Sequence, residues 1–191
     1  MAKKQQKDAK VKLIESAMNI AAKQGWGHLT LAALASANKM TLAELHEYFE
    51  DKQDILTALG RMIDRQVLAA GEGDEDSSPR DRLFDLLMER YEALNAYRPG
   101  LVSVLESFKF DPKQAVIGLP HLCKSMNWML EAAGQDSNGW GGALRLAGLT
   151  GLYIKNLKVW AGDDSADLAK VMASLDKDLG RAESLAKSIG L

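Results

Sequence analysis

Apolar residues recur every three or four positions along most of the chain, which is the spacing that places them on one face of an α-helix. Such stripes are found in residues 13–21, 55–67, 83–97 and 168–179. Proline, glycine and serine separate the stripes, as they commonly do at helix ends. The pattern predicts an all-α fold of about nine helices without strands, arranged as an N-terminal three-helix bundle followed by a larger helical bundle.

Two short helices are predicted within residues 29–50. Thr30 can accept a hydrogen bond from an open N–H group of the first, and Thr41 can do the same for the second. Asn38-Lys39 separates them. Two short helices joined by about four residues form a helix-turn-helix, whose second helix can enter the major groove of DNA. The inward-facing side chains predicted for the second helix are Leu42, Leu45 and Phe49.

Four further features divide the rest of the chain. The first helix is predicted to begin near Asp8, after a lysine-rich terminus. The acidic, glycine-bearing run at residues 71–76 predicts a flexible boundary between domains. Ser78 and Pro79 suit the cap and the first residue of the next helix. Pro120 predicts a kink or a split in a later helix.

Composition and charge are ordinary and exclude few classes. Of the 191 residues, 47% are hydrophobic and 26% are charged, and the formal net charge is −2. The chain therefore has no global positive field that would indicate nucleic acid as its partner. A single cysteine, Cys123, excludes an internal disulfide. Because no apolar run is long enough for a membrane span or a signal peptide, a cytoplasmic protein without an integral membrane segment is expected.

No constellation of residues typical of an enzyme was found. The three histidines are far apart in sequence and no pattern has the spacing of a zinc site. His121 and Cys123 are two residues apart, so on a helix their side chains point to different sides. No glycine-rich phosphate loop is present. The sequence predicts a protein without catalytic residues, cofactor or metal.

Residues 140–161 are predicted to form a long helix that is rich in small residues. Each interior glycine costs up to about 1 kcal/mol relative to alanine. The close approach of another helix is the usual compensation for that cost. Ser165 is predicted to cap the last helix. The small residues of the long helix are Gly141, Gly142, Ala143, Ala147, Gly148 and Gly151.

The N-terminus carries five lysines opposed by one acidic residue, Asp8. Two interpretations stay open for this segment. It is either a solvated, frayed terminus or a basic arm that contacts DNA phosphates, where each neutralised charge adds salt-dependent affinity. The lysines are Lys3, Lys4, Lys7, Lys10 and Lys12.

The N-terminal third of the chain closely resembles the tetracycline-repressor (TetR) family of transcription regulators. The matching residues of the helix-turn-helix are Leu34-Ala35, Thr41, Leu45, Tyr48-Phe49 and Lys52. Further matches are Ile14, Ala17, Ala21, Gly25-Trp26, Leu29-Thr30 and Ile55-Leu56. The resemblance implies a TetR-like fold, with a helix-turn-helix domain of the DNA-binding type at residues 1–56 and a helical ligand-binding and dimerisation domain at residues 57–191.

From this resemblance we expect a one-component transcriptional regulator that binds an operator as a dimer and responds to a small apolar effector. The last two long helices, within residues 140–189, would form the homodimer. The residues expected to contact DNA are Thr30, Lys39, Thr41, Leu42, His46, Tyr48 and Lys52. The large apolar side chains expected to bind the effector are Met88, Tyr91, Phe108, Leu122, Met126, Trp128 and Met129.

The carboxylates of Glu44, Glu47 and Glu50, with Asp51 next, count against DNA as a partner. Glu44 and Glu47 occupy the predicted recognition helix, where a carboxylate can accept from cytosine N4 but also repels phosphates. In addition, residues 143–179 resemble the C-terminal helices of ubiquinone-biosynthesis accessory lipid-binding proteins, which share a TetR-like fold. The alternative function is therefore a lipid-binding protein that assists ubiquinone biosynthesis and does not bind DNA.

Overall fold

The computed structural model describes residues 2–70 and 77–188, and the α-helices within these ranges number nine. A short 3₁₀ helix at Trp26–His28 precedes the second of them. No strand occurs in the described ranges, so the predicted all-α fold is confirmed. The helices are α1 (Ala2–Gln24), α2 (Leu31–Ala37), α3 (Leu42–His46), α4 (Lys52–Ala70), α5 (Pro79–Asn95), α6 (Arg98–Ser107), α7 (Pro112–Ala132), α8 (Gly139–Ala161) and α9 (Ala169–Ser188).

Contacts between residues divide the chain into two compact units. Unit 1 consists of Met1–Met62 and Leu94–Leu119, and unit 2 consists of Ile63–Ala93 and Pro120–Leu191. Helices α4, α5 and α7 each contribute residues to both units. The predicted division at residue 56 concerns function and stays a prediction. The boundary predicted at residues 71–76 lies outside the described residues.

Unit 1 is built on the close contact of α1 with α6. The buried face of α1 carries the predicted residues Ile14, Ala17 and Ala21, which are at most 2% exposed. Gly100 of α6 lies so near the backbone of Met18 that a Cβ atom there would be 2.5 Å from the Met18 carbonyl oxygen. Glycine is therefore required at this position by packing, because any side chain would push the two helices apart.

Unit 2 buries the large side chains of α5, α7, α8 and α9. The rings of Tyr91 and Tyr153 stack with their centroids 5.1 Å apart, and Trp160 is fully buried. Asp163, also buried, accepts hydrogen bonds from the Ser165 amide at 3.1 Å and from the Val171 amide at 3.0 Å. Burial alone raises the pKa of Asp163, but the hydrogen bonds outweigh it and lower the pKa to about 2.

Three predicted helix boundaries are corrected by the structure. Helix α1 begins at Ala2 instead of near Asp8, because lysine, glutamine and alanine are good helix formers. Helix α7 runs unbroken through Pro120, so the predicted split is wrong, whereas the predicted kink stays a prediction. Pro120 is exposed, so water can satisfy the carbonyl group left without a donor. Helix α9 begins at Ala169 and not directly after Ser165, although the Ser165 hydroxyl still accepts from the Ala169 amide at 2.9 Å.

The contact between α1 and α6 generates a prediction with a matched control. We expect Gly100→Ala to lower the free energy of unfolding by about 1–3 kcal/mol, because the added methyl group overpacks a backbone contact. Gly60→Ala in α4, where a Cβ atom would meet nothing within 4 Å, should instead stabilise by about 0.5–1 kcal/mol. Urea denaturation of both variants is the measurement, and equal effects would contradict the packing argument.

Candidate functional site

The turn between α2 and α3 has the geometry of a Schellman motif. The Met40 amide donates to the Ala35 carbonyl at 2.9 Å, and the Lys39 amide donates to the Ser36 carbonyl at 3.1 Å. Lys39 has a φ of 56°, a left-handed conformation in which glycine is usual. The Asn38 side chain fixes the turn to α1 by donating to the Ser16 hydroxyl at 2.9 Å. An exposed cation is therefore held at the entrance to α3.

Helix α3 begins with a complete capping box. The Glu44 amide donates to the Thr41 hydroxyl oxygen at 3.2 Å, and the Glu44 carboxylate accepts from the Thr41 amide at 2.7 Å. It also accepts from the Thr41 hydroxyl at 2.9 Å. The bond from the Thr41 backbone, followed by that from its hydroxyl, lowers the pKa of Glu44. The predicted cap is present, and Glu44 has a structural role that the sequence interpretation missed.

The next acidic residues also serve helix ends. The Asp51 carboxylate accepts from the Asp54 amide at 2.8 Å at the start of α4. Asp54 in turn accepts from the Glu50 amide at 3.3 Å. Carboxylates near a helix N-terminus are favoured by the helix dipole as well as by these bonds. Of the acidic residues around α3, Glu47 and Glu50 are exposed and remain negative groups that can face a partner.

The residues predicted to contact DNA have two different environments. Lys52 is half-buried: its ammonium group donates to the Trp26 carbonyl and lies 4.7 Å from the centroid of the Trp26 ring. Desolvation lowers the pKa of Lys52. Tyr48 is also half-buried. Their contact with DNA stays a prediction. The other five predicted residues are exposed, namely Thr30, Lys39, Thr41, Leu42 and His46.

Leu42 is the main departure from the predicted helix-turn-helix. It was placed on the buried face of α3 together with Leu45 and Phe49, which are each 1% exposed. Leu42 is instead 56% exposed, so its assignment to the core was wrong. The reason is the length of α3: a helix of five residues makes little more than one turn, and the core contacts only its C-terminal end.

The lysine-rich terminus is helical from Ala2 onwards, and its contact with DNA phosphates stays a prediction. The side chains of Lys3 and Lys4 lie outside the described residues. Lys7 and Lys12 are exposed, whereas the Lys10 ammonium group lies 4.9 Å from the centroid of the Phe49 ring. Lys10 is therefore positioned against the residue that ends the helix-turn-helix.

The predicted effector-binding residues do not form one cluster. Phe108 belongs to unit 1 and is half-buried, and Leu122 in unit 2 is also half-buried. Trp128 is 59% exposed, so it is not a wall residue of an internal cavity in unit 2. The other four, all in unit 2, are buried: Met88, Tyr91, Met126 and Met129.

A buried polar network lies among these residues. The Arg90 guanidinium pairs with the Asp64 carboxylate and donates to the Tyr153 hydroxyl at 3.0 Å. The Ser125 hydroxyl donates to the other Asp64 oxygen at 2.7 Å. The Tyr91 hydroxyl donates to the Tyr153 carbonyl at 3.1 Å, and burial raises the pKa of Tyr91. No pattern in the sequence indicated this network, because isolated charged residues on a helix are usually solvated.

Two surface grooves are found in unit 1, and neither contains a predicted effector-binding residue. One, of about 340 Å³, is lined by α1 between Lys12 and Lys23. The other, of about 280 Å³, is lined by α1 and by residues 96–100. Within residues 2–70 and 77–188, no helix is long and apolar enough to cross a membrane.

Comparison with known proteins identifies the fold. No protein-family model and no curated protein matches the chain. A TetR transcriptional regulator from Nitrosomonas europaea has a similar structure, with a TM-score of 0.73 and 20% identity over 92% of this chain and 98% of that one. A TetR transcriptional regulator from Rhodococcus sp. gives 0.56 and 18% identity over 90% and 96%. A TetR-family regulator from Thermus thermophilus gives 0.50 and 16% identity over 87% and 96%. The chain has the TetR fold, as the sequence predicted.

The buried pair in unit 2 generates a prediction about stability. Asp64→Leu should lower the free energy of unfolding by about 3–5 kcal/mol, because it leaves the Arg90 charge buried without a partner. The double variant Asp64→Leu/Arg90→Met should recover most of that loss. Lys187→Met, which removes an exposed ion pair with Glu183, is the control and should cost less than about 1 kcal/mol. If Asp64→Leu lowered the free energy of unfolding by as little as the control variant does, the role given to the buried pair would be contradicted.

Proposed function

We propose that this protein is a TetR-like one-component transcriptional regulator that binds operator DNA as a homodimer and responds to a small apolar effector. The observation that carries the proposal is the helix-turn-helix itself: α2 and α3 are separately capped by Thr30 and Thr41, and an ordered Schellman turn joins them. The fold similarity to TetR-family regulators supports the same function.

The acidic residues in and around α3 disfavour DNA binding less than their number suggests. The Glu44 carboxylate is bound to Thr41 and Asp51 caps α4, so both have partners within the chain. Lys39, Lys7 and Lys12 are exposed cations of the same unit and suit contacts with phosphates. Glu47 is the exposed carboxylate that opposes such contacts most directly.

The proposed dimer uses a stripe along α8. Its exposed residues Leu144, Gly148, Gly151 and Ile154 recur every three or four positions, so they share one side of the helix. A Cβ atom on Gly148 or Gly151 would meet nothing within 4 Å, so no contact among residues 2–70 and 77–188 explains these glycines. A second copy whose helix approaches closely would offset their cost of about 1 kcal/mol each.

We also assign two residues of α9 to the proposed interface. Met172 is 44% exposed, and Gly180 has no neighbour within 4 Å of a Cβ position. These residues extend the proposed interface across the last two helices. Residue 189, the end of the interface expected from the sequence, lies outside the described residues.

The proposed effector site is the methionine-rich interior of unit 2. Met88, Met126 and Met129 are buried and adaptable, so they can change rotamer to admit an apolar molecule. The polar network around Arg90 then defines one polar wall of the site. An effector with an apolar body and a single polar group fits this arrangement best.

The direct test is binding to DNA selected from a random pool and to the DNA upstream of the protein's own gene. The affinity should exceed that for random DNA by about 10³-fold or more. It should fall as salt rises, because phosphate contacts release counterions. Equal affinity for selected and random DNA would overturn the proposal that this protein is a transcriptional regulator.

Replacing Glu47, the C-cap residue of α3, tests whether its carboxylate lies near DNA phosphates. Glu47→Gln should strengthen DNA binding at low salt by up to about fivefold per half-site, because a unit charge about 4 Å from another in water contributes about 1 kcal/mol. Glu44→Gln should have a smaller effect, since the original carboxylate is bound to Thr41 and glutamine can preserve the capping box. Fluorescence anisotropy at two salt concentrations is the measurement.

Glu92→Gln on α5 makes the same charge change at an exposed position outside the helix-turn-helix and serves as the control. A response equal to that of Glu47→Gln would mean that only net charge matters. If the wild type lacks affinity and Glu47→Gln gains it, the carboxylate is the barrier. That result would favour the lipid-binding alternative from the sequence.

The proposed dimer is tested by placing a large side chain at a glycine of the exposed stripe on α8. Gly151→Leu should weaken association by about 1–3 kcal/mol per copy through overpacking, and a symmetric dimer presents the change twice. Sedimentation over a range of concentrations should then show a shift from dimer to monomer. Gly118→Leu in α7, another position with no neighbour within 4 Å of a Cβ atom, is the control. A monomeric wild type would contradict the proposed dimer.

A further inference from the structure

We propose that Leu42 recognises thymine by contacting the C5-methyl group in the major groove, so that the operator carries a thymine at a fixed position in each half-site. The inference rests on the proposed function. It adds the base identity and the residue that determines it, neither of which follows from the fold.

Leu42 is exposed at the start of the predicted recognition helix. Among the side chains described in residues 5–70, Leu42 is the only large hydrophobic one that is exposed. Single exposed leucines are common on protein surfaces, so exposure alone would not indicate a role in binding. Leu42, however, is the first residue of α3, and recognition helices contact base edges with their N-terminal residues.

A second observation is what α3 lacks. Residues 42–49 contain no arginine and no lysine, so this segment cannot make the bidentate contact with guanine that is commonest in specific recognition. The Glu44 carboxylate, which could accept from cytosine, is held by Thr41. Its neighbour Ala43 is exposed and also apolar. The start of the helix thus presents an apolar surface without a free hydrogen-bonding side chain.

The major groove of DNA offers an apolar group that can pair with this surface. The thymine C5-methyl is the apolar group that a base pair presents in the major groove, and apolar side chains contact it directly. A polar base edge covered by this leucine would lose its hydrogen bonds with water without a compensating bond. Burial of the leucine against the methyl group removes apolar surface from water on both sides. Thymine is therefore the base that this surface favours.

The experiment replaces thymine with deoxyuridine, which differs from thymine only by the C5-methyl group. A sequence is first selected from random DNA, and each thymine of its half-sites is then replaced in turn. We expect the wild-type protein to lose affinity by a factor of about four at one thymine per half-site. Replacing both symmetric positions should multiply the two losses. The measurement is fluorescence anisotropy at a fixed salt concentration.

Three variants assign the methyl contact to Leu42. Leu42→Ala should bind the thymine and deoxyuridine duplexes equally, while Leu42→Met should retain the preference for thymine. Val116→Ala removes another exposed apolar side chain of unit 1, outside the helix-turn-helix, and should retain the full preference. Thermal unfolding of each variant should match the wild type, because Leu42 and Val116 are both exposed.

The outcomes separate this inference from the proposed function. If no sequence could be selected from random DNA, the proposed function as a regulator would be overturned. The inference about Leu42 would then be overturned with it. A selected sequence bound equally well with thymine and deoxyuridine would overturn the inference alone. A thymine preference that survives in Leu42→Ala would assign the methyl contact to another residue and would also overturn it.

Discussion

The ion pair between Asp64 and Arg90 constrains unit 2 more than any other single contact described. It joins α4 to α5, while Ser125 of α7 and Tyr153 of α8 complete the hydrogen bonds of the two charged groups. A buried charge without its partner costs several kcal/mol, so these four helices hold one another in a single register. The buried interior of unit 2 therefore contains a polar centre and is not uniformly apolar. A molecule that enters this interior must either leave the pair intact or supply an equivalent partner.

The helix-turn-helix depends on a different kind of constraint, which is local. A helix of five residues cannot be stable alone, because nucleation is unfavourable and few hydrogen bonds repay it. The capping box at Thr41 and the Schellman turn at Lys39 satisfy the open backbone groups on either side. The acidic residues that seemed to oppose DNA are therefore partly structural. The same carboxylate cannot both complete the capping box and lie freely against a phosphate.

These two constraints explain what the sequence could and could not predict. The caps at Thr30 and Thr41 depend on neighbours three residues away, so side-chain chemistry and spacing were sufficient to find them. The pair of Asp64 and Arg90 depends on tertiary contacts between residues 26 positions apart, and nothing in the local pattern distinguished it from a solvated charge. Leu42 was misplaced for a third reason. Helical periodicity defines a buried face over several turns, and α3 is too short to have one.

The glycines show why residue type alone does not reveal a role. Gly100 is required because α1 and α6 approach within the distance of a single Cβ atom. Gly142 is required by the chain itself, since a Cβ atom would lie 2.1 Å from the Ser137 backbone. Among the described residues, Gly148 and Gly151 have no neighbour within 4 Å of a Cβ position, although both weaken the helix that contains them. The proposed dimer would offset this cost, because a second copy packed on α8 could approach closely only where side chains are small.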